Sequence, residues 1–193
     1  MNTLVVYCHP YEGSFCHAIL EHLETGADKA GKNLDVIDLY KDHFNPVMSG
    51  RDLLGFVKHQ AVDEQAIDYA NRLKKADHLV LVFPIWWELM PAMMKGFIDK
   101  VIFPGQTYAY KSNSVSMRTL LPNLKSTTVI TTMNTPKIMY KFTYGNAIKE
   151  ALIKGSFKKS GFKNVKWLSF NMVKMRSNET RVKWLDRAER VVD

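Results

Sequence analysis

Five short apolar runs, rich in β-branched residues, alternate along this chain with longer segments whose apolar residues recur at helical spacing. The runs fall at residues 3–8, 33–38, 78–83, 126–132 and 165–170. The helical segments fall at 14–30, 62–75, 91–101, 144–159 and 178–191, with an extra turn at 49–57. A strand buried on both faces reads as an unbroken apolar run, and a strand followed by a helix must cross over before the chain can pair again in parallel. The alternation therefore points to an α/β doubly wound fold, five parallel strands with helices on both faces. Punctuation agrees, since Ser14 stands before the first helix while Gly31 and Gly161 follow the first and fourth. The expected strand order is 2-1-3-4-5, which puts a ligand crevice at the carboxyl ends of the strands, at the switch between strands 1 and 3.

Composition narrows the setting. With 193 residues and no composition break, repeat or linker, one domain spanning 1–193 is expected. Residues 79–87 form the longest apolar stretch, which holds Pro84 and is far too short to span a membrane. The N-terminus opens into a strand-like segment rather than a basic leader, so a cytoplasmic protein without membrane insertion is expected. Cys8 and Cys16 are too few for a disulfide framework, and the six histidines, all at or before His78, lack metal-ligand spacing; no metal is expected. The net charge of +8 invites a nucleic-acid reading. However, Lys149, Lys154, Lys158, Lys159 and Lys163 interleave with Ala147, Ile148, Ala151, Leu152 and Phe157 as on a solvated amphipathic face, without a recognition motif. No nucleic-acid partner is expected, and the positive field suits anionic cofactors.

Three loops leave the strands at the crevice. Residues 8–16 lack both GxGxxG and GxxxxGK[ST], but offer His9, Gly13, the Ser14 hydroxyl and free amides at a helix N-terminus, a set able to hold a phosphate. Ser14 acting as a plain helix cap explains that loop equally well. In residues 83–92, Trp86 and Trp87 are adjacent at a strand end and cannot both point inward, while Pro84 and Pro91 stiffen the turn between them. Aromatic faces beside exposed amides suit a planar ligand. The third loop carries Thr131, Thr132, Met133 and Asn134, with Tyr140 and Asn146 beyond. Singly, each is more often a turn or core residue; the convergence of three such loops is the stronger sign.

Several segments also stand in a specific order: His9-Pro10…Ser14-Phe15, Asp38-Leu39-Tyr40…Phe44-Asn45-Pro46, Phe83-Pro84-Ile85-Trp86-Trp87…Pro91-Ala92…Lys95-Gly96-Phe97-Ile98-Asp99-Lys100-Val101, Tyr108-Ala109-Tyr110 and Thr131-Thr132. In this arrangement the chain resembles, over nearly its whole length, the NAD(P)H:quinone oxidoreductase family within the flavodoxin-like superfamily. The resemblance implies a bound FAD, with FMN as the alternative, NAD(P)H as electron donor, a quinone-like acceptor, a homodimer with active sites at its interface, and two-electron ping-pong transfer in one pocket. By position it implies that His9, Ser14, Phe15 and Cys16 contact the flavin phosphates and ribityl chain. Pro84, Ile85, Trp86 and Trp87 would hold the ring through backbone amides. Thr131, Thr132, Met133 and Asn134 would hold its pyrimidine side, and Tyr140 would stabilise charge that develops on reduction.

Departures from the family pattern bear on the acceptor. Met133-Asn134 stand at a usual glycine pair, Cys16 at a usual asparagine, Glu88 at a common aromatic, and Asn146 where some members carry a proton-relaying histidine. Tyr140 and Asn146 are thus the expected catalytic positions, Trp87 and Glu88 the expected acceptor wall. Residues 38–48 and Arg181 resemble the adenylate-embracing parts of FAD-using members, which is the ground for FAD. Two other readings are a flavodoxin-type electron carrier, whose usual acidity conflicts with +8, and a regulatory subunit of a potassium-efflux system, a role some family members play.

Overall fold

The computed structural model describes residues 1–112 and 116–192. In chain order it forms β1 (Asn2–Tyr7), α1 (Phe15–Ala30), β2 (Asn33–Asp38), α2 (Gly50–Lys58), α3 (Glu64–Lys75), β3 (His78–Pro84), α4 (Ala92–Val101), β4 (Tyr108–Tyr110), β5 (Met117–Thr119), β6 (Ser126–Met133), α5 (Lys137–Phe142), a π-helix (Ile148–Lys158), β7 (Val165–Asn171) and α6 (Asn178–Glu189). Five strands make one parallel sheet in the order β2-β1-β3-β6-β7, the topology expected from the sequence. Among the described residues no helix is long and apolar enough to cross a membrane.

Strand alternation divides the core into two layers. On β1, Val5 and Tyr7 face α1 and α6 with Ile19, Leu23 and Phe170, while Leu4 and Val6 face the opposite layer with Leu73, Phe97 and Phe157. Every residue of the central β3 is buried, as a strand covered on both faces requires. The tyrosine-rich segment after α4 continues into a small antiparallel pair, β4 with β5.

Two expectations change. Residues 49–57 form more than a turn: α2 is a full helix, because Ser49 and Asp52 close a capping box on its first amides. The expected helix 144–159 is replaced by the short α5, a loop through Gly145 and Asn146, and eleven residues wound with i→i+5 bonding.

The 38–48 segment is consumed by packing. Phe44 is buried in the core, the Tyr69 hydroxyl donates to Asp42 at 2.8 Å, and the Lys100 ammonium donates to the Asn45 carbonyl at 3.1 Å. A Cβ on Gly96 would stand 2.3 Å from Pro46 Cα, so the glycine is required for α4 to seat against this segment. These contacts account structurally for the Lys-Gly…Lys spacing on α4.

Candidate functional site

The carboxyl ends of β1, β3 and β6 open on one side of the sheet, where the three loops meet. At the first, Ser14 caps α1 and its Oγ accepts from the His17 amide at 3.1 Å. The Phe15 and Cys16 amides at the head of this sixteen-residue helix have no partner among the described residues. The Tyr11 amide donates to His9 Nδ1 at 3.1 Å, which fixes the tautomer and leaves Nε2–H as a donor. Burial holds the His9 imidazole below its ordinary value, so at neutral pH it is an uncharged donor. Cap, amides and imidazole together make an oxyanion cradle.

The second loop is the most strained part of the site. Trp86 and Leu89 exchange backbone hydrogen bonds of 2.9 and 3.1 Å around a two-residue turn in which Trp87 and Glu88 have φ of 50° and 63°. Turns of this hand favour Asn-Gly, and bulky residues in the left-handed region cost roughly 1–3 kcal/mol each. Two contacts hold Glu88 there: its carbonyl accepts from the Tyr140 hydroxyl at 3.0 Å and its carboxylate from Thr135 Oγ1 at 2.6 Å. The second carboxylate oxygen is buried without a partner. Trp87 stands at the tip, 97% exposed, while Trp86 meets the His9 ring edge-on at 5.9 Å.

The geometry shows what several of the expected side chains touch within the protein. The Ile85 and Trp86 amides are already spent, on the Thr132 and Leu89 carbonyls, and Pro84 has none; the free amides are those of Trp87 and Glu88. Thr131 Oγ1 accepts from Trp167 Nε1 at 2.9 Å, Thr132 Oγ1 pairs with the Cys16 thiol at 3.2 Å, and Met133 packs in the core. These side chains form the floor beneath the crevice rather than its surface. Asn134 is exposed, with its carbonyl oxygen taken by the Lys174 amide. Burial pushes the Cys16 thiol up to about 12, so it is a neutral packing group. Tyr140 is 1% exposed, and its hydroxyl donates to Glu88 and accepts from the Ile148 amide at 3.0 Å. It braces the turn and has no free proton to offer.

Phe15 lies in an aromatic cluster with Phe170 and Trp184 on the α6 side. Arg181 donates to Asn178 at 2.8 Å, and its buried Nε has no partner. Residues 38–48 follow β2 and are engaged with α3 and α4, while Arg181 stands on α6, the helix whose Trp184 meets Phe15 at the head of α1. Asn146, with φ 54°, lines a neighbouring pocket of about 310 Å³ with Lys137, Lys141 and Lys149. Sequence reasoning passed over Thr135 as well as these lysines; the Asn134-Thr135-Pro136 turn was the available signal for the former. No group of three or more His, Cys, Asp or Glu side chains is placed to hold a metal among the described residues.

Residues 1–192 match the profile of a family described as having the flavodoxin-like fold. A Haemophilus influenzae protein described as an uncharacterized NAD(P)H oxidoreductase is 29% identical over 189 residues, covering 97% of this chain and 92% of that protein. An NAD(P)H:quinone oxidoreductase from Methanothermobacter marburgensis superposes with a TM-score of 0.86 at 24% identity, covering 100% of this chain and 95% of the other. An FMN-dependent NADH-azoreductase from Bacillus anthracis in complex with FMN superposes with a TM-score of 0.78 at 16% identity, each chain covered in full.

Proposed function

The chain belongs to the flavodoxin-like fold family, and from that premise we propose that it is an FMN-binding NAD(P)H oxidoreductase of the quinone-reductase type, a single flavin-binding domain acting on quinone-like acceptors in the cytoplasm. The observation that carries this reading is the meeting, in one crevice, of an oxyanion cradle on α1 with a left-handed turn that presents two unpartnered amides beside Trp86. The cradle suits the flavin phosphate and the Trp87 and Glu88 amides suit the polar edge of its ring. FMN is preferred to FAD because the 38–48 segment expected to embrace an adenylate is engaged in packing against α3 and α4, and because the Bacillus relative binds FMN. The flavin, once bound, would take hydride from the nicotinamide and pass it to the acceptor in a ping-pong cycle. The protein's own part is orientation: His9 and the α1 amides anchor, the turn aligns the ring, and Tyr140 with Thr135 keeps the turn in place.

The same turn is in keeping with a homodimer. Trp87, Leu89, Ile138, Met139 and Phe142 are exposed around the crevice mouth, an apolar rim that a second copy would cover while walling the acceptor site. Titration of the purified protein with FMN and FAD, followed by anaerobic NADH or NADPH, tests the reading. Tight one-to-one FMN binding and bleaching of the bound flavin by nucleotide are expected; failure of both flavins to bind would overturn it, and binding without bleaching would make the protein an electron carrier.

Glu88 places a carboxylate with one unpartnered oxygen in the acceptor wall, which disfavours anionic acceptors and favours cationic or hydrogen-bond-donating ones, including amino-substituted nitroaromatics. Glu88→Phe is expected to raise kcat/KM for a sulfonated quinone roughly three- to tenfold relative to a neutral one, the size of a partly solvated charge pair. An unchanged ratio across such a panel removes the idea.

A further inference from the structure

We propose that the pocket behind Tyr140 binds the ribose phosphate that distinguishes NADPH from NADH, so that Lys137, Lys141 and Lys149 select the electron donor. The inference rests on the oxidoreductase reading above and names the donor that reading leaves open.

The pocket holds about 310 Å³, at the lower end of ligand-site volumes, enough for a phosphate with part of its sugar. Three lysines line it and no carboxylate does. None of the three makes an ion pair among the described residues, whereas Lys154 further along the chain pairs with Glu150 at 2.7 Å. The Lys141 ammonium instead rests over the Phe142 ring, 4.6 Å from its centroid. Lys137 and Lys141 are also four apart on α5, a like-charge spacing that disfavours the helix unless an anion lies between them. Uncompensated positive charge gathered around a concavity, and kept there against self-repulsion, is what an anion site requires.

The rest of the lining is organised for recognition. The Ser169 hydroxyl donates to Asn171 Oδ1 at 3.0 Å, the Asn171 amide donates to the Thr135 carbonyl at 3.3 Å, and Trp167 is held by Thr131. Thr135 in turn donates to Glu88, so a string of hydrogen bonds runs from the pocket floor to the strained turn. Tyr140 lines the pocket with its side chain while its hydroxyl bonds the Glu88 carbonyl, so pocket and crevice share a wall one side chain thick. A nucleotide folded back across that wall would place its nicotinamide in the crevice and its adenosine ribose phosphate in the pocket. Three ammonium groups on one small lining match a localised phosphomonoester dianion better than a pyrophosphate, whose charge is spread and which NADH also carries.

The test compares the FMN-loaded wild type with a K137Q/K141Q/K149Q variant. These side chains are exposed, and the melting temperature checks that the variant is folded. Calorimetric titration with adenosine 2′,5′-bisphosphate and with ADP reads the phosphate site without any redox step. In the wild type the bisphosphate should bind more tightly than ADP. In the variant that advantage should fall roughly a hundredfold, as expected from losing two or three charge-assisted hydrogen bonds to partly solvated groups. The kcat/KM for NADPH should fall in parallel, while that for NADH changes by less than about threefold. Equal losses with both nucleotides, or no advantage of the bisphosphate over ADP in the wild type, overturn the proposal. So does displacement of inorganic phosphate from the pocket with an unaltered NADPH preference in the variant, which would assign the pocket to a free anion. Failure of FMN to bind would instead overturn the oxidoreductase reading, while the calorimetric arm still judges the pocket.

Discussion

Lys100→Met is expected to lower the unfolding free energy of this protein by about 3 kcal/mol, the lower end of the range for breaking a buried ion pair. Lys100 is 4% exposed, yet its ammonium lies 2.7 Å from Asp63 and 3.9 Å from Asp52, donates to the Asn45 carbonyl and stands over the Phe44 ring. Methionine keeps the packing and removes the charge, leaving Asp52 and Asp63 without their cation. Asp63 retains a quarter of its side-chain surface in water, which is why the loss sits at the low end. For a chain of this size it corresponds to a fall in melting temperature of roughly 6–12 °C. The pH dependence identifies the cause. Burial alone would raise the Asp63 carboxyl, but the Lys100 ammonium and the Ala66 and Gln65 amides hold it below its ordinary value of 3.8. A depressed carboxylate contributes stability that is present above its unfolded pKa and lost as pH falls through the folded one. The gap between wild type and variant, measured by urea unfolding, should therefore be widest near neutrality and narrow below about pH 4, where neutral carboxyls no longer need the ammonium. A gap independent of pH would mean that lost packing is responsible.

Tyr140→Phe removes the one hydroxyl that ties the strained turn to the start of the π-helix. The Glu88 carbonyl loses its donor and the buried Ile148 amide its acceptor, and each unsatisfied backbone group costs about 1–3 kcal/mol. A loss of about 2–4 kcal/mol in unfolding free energy is expected. FMN affinity should also weaken about tenfold, because the left-handed turn, about 1–3 kcal/mol uphill per residue, is then free to relax. Both are measured on the same sample, by denaturant titration and by flavin-fluorescence quenching at a temperature where the variant is folded. Unchanged flavin affinity in a destabilised variant would confine Tyr140 to the core and detach the turn from ring binding.

The strand order and the crevice were legible in the sequence because burial on both faces forces β1, β3 and β6 to be nearly continuous apolar or threonine runs. The loops were legible as a set and less so residue by residue. Trp87-Glu88 carries none of the Gly or Asn that marks a left-handed turn; the conformation is imposed by Tyr140 and Thr135, roughly fifty residues away. The hydroxyls of Thr131 and Thr132 promised hydrogen bonds to a ligand, but strand alternation sends one to Trp167 and the other to Cys16. Residues 38–48 read as a ligand strap because their demand for packing depends on Gly96 and Lys100, two helices and a strand further on. Of the lysines of the Tyr140 pocket, Lys149 was hidden in a charge pattern that, over Lys149 to Lys163, resembled an ordinary solvated face, while Lys137 and Lys141 precede that pattern in sequence.

Both cysteines lie beneath the crevice floor, and burial pushes each thiol up to about 12. Both thiols are therefore protonated at neutral pH, and neither sulfur is open to solvent. Quinones are soft electrophiles that consume exposed thiolates by addition. On the function proposed above, a catalyst that meets such compounds at every turnover and keeps its only two sulfhydryls out of their reach would outlast the toxicity of the molecules it handles.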